Sequence, residues 1–217
     1  PLDALHGRVL AEDVVAPLDV PAFDRAAMDG YALRGAETTG AADYNPLRFE
    51  LRGTALPGRA HDGAVAPGTA VRIMTGAPMP AEADAVVPAE FAVEHDGFVE
   101  ITQAFAPGKN VGRRAEDVRA GTCVLQAGLR LRAQDVGLLA SLGIACAAVV
   151  RRPRVRIVAS GDELAAPGTP KGTYEIYDAN TPMLCGLVAR DGGLVEGVLR
   201  VRDDRAQLRA AMTAPGA

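Results

Sequence analysis

The chain has 217 residues, of which 48% are hydrophobic and 4% aromatic, with no tryptophan and a formal net charge of −4. That composition supports one or two globular domains with interiors of small aliphatic side chains, and no apolar run approaches the roughly 18 residues of a membrane span. Three scattered cysteines and three scattered histidines argue against a disulfide framework and against a Cys- or His-based metal site, so a soluble, cytoplasmic protein is expected. No signal-peptide pattern opens the chain, which starts abruptly at Pro1 as if cut from something longer.

The charge is uneven. Residues 1–108 hold 7 Lys/Arg against 16 Asp/Glu, residues 109–156 hold 10 against 3, and residues 157–217 hold 6 against 8. A basic middle in an acidic chain suggests an anionic partner. The acidic total and the few aromatics make nucleic acid a poor candidate and a small phosphate-bearing ligand a better one. A solvated basic face paired with the acidic first segment accounts for the same numbers.

In chain order, residues 2–20 predict a short helical turn and one or two strands broken at Pro17. The stretch Pro21 to Leu33 follows no period of two or 3.6. It closes on Asp29-Gly30, a turn signal, and Tyr31-Ala32-Leu33 begins a strand. Phe23, Met28 and Tyr31 are expected to anchor this loop while Asp24 and Asp29 are presented; a plain tight turn between two strands is the other reading. Residues 35–70 are Gly-rich and predict a small all-β unit, clearest at Leu47–Leu51, where apolar and polar residues alternate. A strand over Ala70–Met74 delivers Thr75-Gly76, where Pro78 and Pro80 forbid its continuation. Thr75 can bind an anion there or simply cap a turn.

The stretch Ala81 to Glu90 is expected to turn and re-enter a strand, and Phe98–Ile101 is another. The loop Pro107 to Val118 offers Lys109, Arg113 and Arg114 for phosphate and the pair Glu116-Asp117, although its charges can also satisfy one another. Thr122–Leu125 reads as a strand, 134–142 as a short helix stopped by Gly143, and Cys146–Val150 as a strand, with Arg151-Arg152-Pro153 a linker and domain boundary. Arg154–Ala159 is a strand followed at once by the polar loop Ser160-Gly161-Asp162-Glu163, the position where open α/β sheets bind ligands. A helix over 181–191 capped by Asn180 or Thr181, a strand over Leu194–Val201, and a helix over Gln207–Met212 capped by Asp203 or Asp204 complete the first half of a doubly wound sheet.

Several stretches together resemble the molybdopterin molybdenumtransferase family, which includes MoeA and the E domain of gephyrin. They are Phe23-Asp24, Ala27-Met28-Asp29-Gly30-Tyr31-Ala32, Met74-Thr75-Gly76-Ala77-Pro78-Met79-Pro80 and Ala83-Asp84-Ala85-Val86-Val87. Next come Arg113-Arg114-Ala115-Glu116-Asp117 and Leu138–Gly143, then Ser160-Gly161-Asp162-Glu163-Leu164, Tyr177-Asp178-Ala179-Asn180 and Arg202-Asp203-Asp204. They occur in family order over nearly the whole chain.

The resemblance implies β-rich N-terminal lobes followed by the first half of a doubly wound, MogA-like α/β domain. Residues 1–22 with 106–150 would form a β-rich connecting and dimerisation domain, 23–105 a small all-β lobe, and 151–217 an incomplete molybdopterin-binding domain. It implies insertion of molybdate into adenylylated molybdopterin with release of AMP, dependent on Mg²⁺. By motif match Asp29, Thr75, Asp117, Glu163 and Asp203 are the catalytic candidates, with Glu163 and Asp203 at the metal. Ser160, Gly161, Asp162, Asp178, Arg113 and Arg114 are the binding candidates. The implied partners are a second copy of the chain, whose α/β domain would face Asp29 and Thr75, and molybdopterin adenylyltransferase upstream; neither nucleic acid nor membrane is expected.

The chain departs from the family at Arg25-Ala26, where Asn-Ser is frequent and Arg25 puts a charge beside the key loop, and more mildly at Ala115, Ser160 and Ala179. The family's α/β domain also continues with a strand and a Ser-Gly-Gly loop beyond the point corresponding to Ala217. A non-catalytic, dimerising scaffold or binding fragment of the same family is therefore the alternative reading.

Overall fold

The computed structural model describes residues 1–215; Gly216 and Ala217, the end of the expected α/β segment, lie outside the described residues. Fourteen strands follow in order: β1 (Val14–Val15), β2 (Arg25–Ala26), β3 (Gly30–Leu33), β4 (Leu47–Ala55), β5 (Thr69–Ile73), β6 (Ala85–Pro88), β7 (Ala92–His95), β8 (Phe98–Ile101), β9 (Val111–Gly112), β10 (Cys123–Leu125), β11 (Arg154–Ser160), β12 (Leu164–Ala165), β13 (Ile176–Tyr177) and β14 (Leu194–Val201). The helices are α1 (Ala133–Ser141), α2 (Asn180–Arg190) and α3 (Arg205–Thr213). The contacts divide into two compact units, one of Asp13–Gln126 with Gly137–Ile144, the other of Pro1–Glu12, Ala127–Val136 and the chain from Ala145 onward.

The first unit is built on a six-stranded sheet in the order β6-β3-β5-β4-β8-β7, antiparallel except between β4 and β5. The two-residue period of a strand sends alternate side chains to opposite faces, and here both faces are covered. Ala32, Val71, Ile73 and Val86 join one buried cluster, Tyr31, Leu33, Ala70 and Val87 the other. The first cluster contains no aromatic ring, as the composition implies. The alternation over Leu47–Leu51 lies in β4, which runs on to Ala55, with Phe49 buried and Arg48 outward over the Phe98 ring. Outside the sheet, β2 pairs with β9 and β1 with β10.

In the second unit β11 and β14 pair in parallel from Arg154 opposite Leu194 to Ser160 opposite Val201, and α2 and α3 pack on the pair. Gly193 ends the connection after α2 with its amide on the Val188 carbonyl, and a Cβ there would meet Val188 Cγ1 at 2.7 Å. The expected strand over Cys146–Val150 is not formed. That stretch meets Val9–Ala11 only at an isolated bridge, Val149 to Leu10, flanked by bonds from Ala11 N to Ala148 O and from Val150 N to Val9 O, too short a contact for a ladder. The short parallel pair β12–β13 was not foreseen; two residues on each side carry no periodic signal. No helix among the described residues is long and apolar enough to cross a membrane.

Candidate functional site

In the sheet unit, three loops meet at the stretch that departs from any period. Gly76 donates its amide to Ala26 O at 2.8 Å, Ala26 to Ala77 O at 3.0 Å, Met79 to Asp24 O at 2.9 Å and Ala27 to Asn110 O at 3.0 Å. Residues 24–27 are thus stitched by backbone bonds to the Thr75–Met79 loop on one side and to β9 on the other. This corrects the expected anchoring. Phe23 and Met28 are 45% and 39% exposed, and only Tyr31 is buried, its hydroxyl donating to Glu94 at 2.8 Å. A loop held through its main chain needs no aromatic pegs.

Asp29 lies at the end of this loop, exposed. Its Oδ1 accepts from the Thr75 hydroxyl at 2.6 Å and from the Thr75 amide at 2.7 Å. These two bonds, the hydroxyl's first, hold the Asp29 carboxyl below the usual carboxylate range. Its Oδ2 accepts no hydrogen bond among the described residues. The Asp-Gly pair does close a bend, but Gly30 is already the first residue of β3 and serves a close approach. A Cβ on it would lie 1.9 Å from Val87 O.

Beside Thr75 opens a pocket of about 540 Å³, lined also by Arg25, Gly76, Asn110, Glu116 and Asp117. Asp117 and Thr75 are therefore brought to one cavity. Arg25 was noted in sequence only as a departure. Its guanidinium stands 3.7 Å from the Asp117 carboxylate and is the single cation among the lining residues. Asn110 was not singled out; with φ of 57° it makes the left-handed turn at the pocket wall, its amide donating to Val86 O at 2.9 Å. An Asn after Gly108-Lys109 is the sequence signal for that turn.

Arg113 and Arg114 have carboxylate partners other than the expected Glu116. Arg113 donates to Asp24 Oδ2 at 2.9 Å and Arg114 to Asp19 Oδ2 at 2.6 Å, while Glu116 accepts the Arg113 backbone amide at 3.0 Å. Asp24 accepts in addition the Arg114 amide, the main cause of its lowered pKa, ahead of Arg113. Asp19 is lowered first by the Ala120 amide and then by Arg114. Asp24 is therefore occupied in holding the basic loop. Lys109 is exposed.

In the other unit, the loops after β11 and β14 emerge side by side, because Ser160 pairs with Val201 and the Gly161 amide reaches Val201 O at 3.3 Å. That end carries Ser160, Gly161, Asp162 and Glu163 on one loop and Asp203 on the other. Glu163 folds back over Gly161, where a Cβ would meet its Oε2 at 2.7 Å. Asp162, Glu175, Arg200 and Arg202 line an open, polar pocket of about 470 Å³. Asp204, not Asp203, caps α3, accepting the Gln207 amide at 2.8 Å, and Asp203 is exposed with no side-chain partner among the described residues.

Asp178 is buried, 2% exposed, and caps α2 from outside it by accepting the Thr181 amide at 2.9 Å; Arg200 donates to its other oxygen at 3.0 Å. The carboxyl is held low by Thr181 first and by Arg200 after it, against the burial that raises it. The expected caps Asn180 and Thr181 are themselves inside the helix.

No group of three or more His, Cys, Asp or Glu among the described residues could hold a metal ion. A closed protein cage is thus not offered. Glu163 and Asp203, at one end of the β11–β14 pair and without side-chain partners among the described residues, have the donor chemistry that Mg²⁺ takes when substrate oxygens complete its shell.

Residues 1–143 match the family described as MoeA N-terminal region (domain I and II). The chain belongs to the MoeA family. Its β-rich fold matches that of a MoeA crystal structure from Pyrococcus horikoshii OT3 with a TM-score of 0.93 at 36% identity, over 98% of this chain and 56% of that one. Molybdopterin molybdenumtransferase 2 of Mycobacterium tuberculosis is 43% identical over 212 residues, 98% of this chain and 52% of the relative. The molybdopterin molybdenumtransferase of Bacillus subtilis is 40% identical over 186 residues, 84% and 43% of the two chains. The chain spans about half the length of the curated relatives it matches.

Proposed function

We propose that this MoeA-family chain works in molybdenum cofactor biosynthesis, as part of a homodimeric, cytoplasmic enzyme that inserts molybdate into adenylylated molybdopterin and releases AMP. One observation supports the reading above the others. Asp29 is an ionised carboxylate fixed by Thr75 through one oxygen, with the other oxygen unused, next to a pocket that Thr75 shares with Asp117. A carboxylate so held is a pre-oriented acceptor for an N–H or O–H of a substrate, and fixing it beforehand lowers the ordering cost of binding.

In this reading the lone cation Arg25 offsets Glu116 and Asp117 so that an anionic substrate can enter. The loops after β11 and β14 form the nucleotide end, in which Ser160, Gly161 and Asp162 line the binding surface. Arg113 and Arg114 act through Asp24 and Asp19, holding the loop, as well as lending positive field. Asp178 acts as the residue that fixes the start of α2. Glu163 and Asp203 would hold Mg²⁺, which when bound supplies charge neutralisation on the phosphoanhydride. Doubly wound, MogA-like completion of the β11–β14 pair belongs to the same reading, as does molybdopterin adenylyltransferase as the supplier of the adenylylated substrate.

The test is molybdate-dependent AMP release by the complete, dimeric protein, compared with Asp29→Asn and Asp203→Ala. Both variants are expected to lose about a hundredfold or more in turnover, on the scale of losing one pre-oriented polar group, with unchanged circular dichroism. A folded wild-type dimer with no molybdate-dependent AMP release points instead to the non-catalytic scaffold. Variants that turn over like the wild type remove those residues from the site.

A further inference from the structure

The basic segment noted in sequence is only partly absorbed by the proposed site. Its end, Arg151-Arg152-Pro153, leads into β11 at the opposite end of the β11–β14 pair from Ser160. Seven residues of strand separate the two ends, about 20 Å at the rise of an extended chain. At that far end Arg8, Arg130, Arg151 and Arg152 line one cavity of about 110 Å³.

Neither Arg8 nor Arg130 has a carboxylate partner among the described residues. Arg8 donates to Val150 O at 2.9 Å, and Arg130 to Gly7 O at 3.3 Å and Arg190 O at 3.1 Å. Carbonyl acceptors hold a guanidinium in place without cancelling its charge, and each guanidinium keeps further N–H donors. Arg151 and Arg152 are exposed and make no ion pair among the described residues. The one carboxylate at the wall, Asp191, is bound by Arg190 through parallel bonds of 2.8 and 3.0 Å, and Arg130 lies close enough to help hold its pKa below the usual range. Four arginines and one carboxylate line this small space, an excess of positive charge that attracts an anion.

We propose that this cavity is an anion site, separate from the proposed catalytic loops, that takes a single tetrahedral oxyanion, either a free inorganic one or the phosphate head of a larger molecule. Size limits the ligand. Drug- or nucleotide-sized ligands need cavities of about 300 Å³ or more, so only one oxyanion group enters. The donor type fits, since the planar fork of arginine matches the oxygen spacing of phosphate.

Inorganic phosphate is the probe, measured by equilibrium dialysis against the complete protein at low salt. One phosphate per chain is expected at this cavity, with affinity falling at least about tenfold in the double variant Arg151→Ala, Arg152→Ala. The double variant Arg48→Ala, Arg59→Ala, with the same change of charge elsewhere, should leave that affinity unchanged. Glycerol 3-phosphate separates the two sources. Binding within about threefold of phosphate assigns the site to the head of a larger molecule, and binding at least about tenfold weaker assigns it to a free oxyanion. No phosphate bound at about 10 mM, or equal affinity in the Arg151/Arg152 variant and the wild type, overturns the proposal. Both residues are exposed, so circular dichroism of the variant should match the wild type.

Discussion

Gly30→Ala tests the packing that places Asp29. An added Cβ would sit 1.9 Å from Val87 O, 2.9 Å from Val87 C and 3.0 Å from the Pro88 Cα. All three are main-chain atoms, so no side chain can swing aside. To reach even the 3.0 Å below which such contacts essentially never occur, β3 and β6 must part by about 1.1 Å. A bond of ordinary length near 2.9 Å stretched by that amount is no longer a hydrogen bond. Overpacking costs about 1–3 kcal/mol, and one or two weakened ladder bonds cost about 0.5–1.5 kcal/mol each. A total of about 1.5–6 kcal/mol follows, which for a chain of this size lowers Tm by about 3–24 °C. Thermal unfolding followed by circular dichroism measures it. Melting within about 1 °C of the wild type would mean that the strands have slack at Gly30 and that its glycine is there for the bend alone.

Ala115 sits at φ 61°, a left-handed conformation that costs an L-residue about 1–2 kcal/mol, so Ala115→Gly should stabilise by about 0.5–1 kcal/mol after the entropy of glycine is subtracted; a lower Tm would contradict this. Thr75→Ala should raise the Asp29 pKa toward the ordinary carboxylate range, read by carboxyl carbon NMR. Because the native pKa is depressed, the destabilisation by Thr75→Ala should be full above the unfolded carboxylate pKa and fade as pH falls through the native one, and a pH-independent loss would refute the linkage. Arg25→Asn should change Tm little, since an exposed pair at 3.7 Å contributes about 0–1 kcal/mol, yet raise KM for the anionic substrate several-fold through the uncompensated Glu116 and Asp117, and an unchanged KM would leave Arg25 a surface residue.

The elements that the sequence predicts best have strong local signals. Leu194–Val201 and Phe98–Ile101 fall where the apolar pattern places them, and α1 ends at Ser141, two residues before the stop at Gly143. What was not legible depends on contacts between distant residues. Cys146–Val150 has the composition of a strand but meets Val9–Ala11 over a single bridge. Phe23 and Met28 look like anchors because the backbone bonds that replace them leave no mark in composition. Arg113 and Arg114 can be seen to need acidic partners, yet Asp19 and Asp24, some ninety residues earlier, cannot be chosen over the adjacent Glu116 without the fold. Asp29 and Thr75 were singled out separately, and their hydrogen bond spans 46 residues.

The way Val9–Ala11 is held between two much later segments governs how the protein can be made. Its partners at Leu129–Leu131 follow roughly 120 residues later, and those at Ala148–Val150 later still. At a translation rate of about 5–20 residues per second, the first dozen residues wait at least about 6–24 s without their hydrogen-bonding partners. The six-stranded sheet, complete by Ile101, can close during that interval. Folding therefore runs from the middle outward, and Val9–Ala11, made before any strand of the sheet, is among the last segments to find its place.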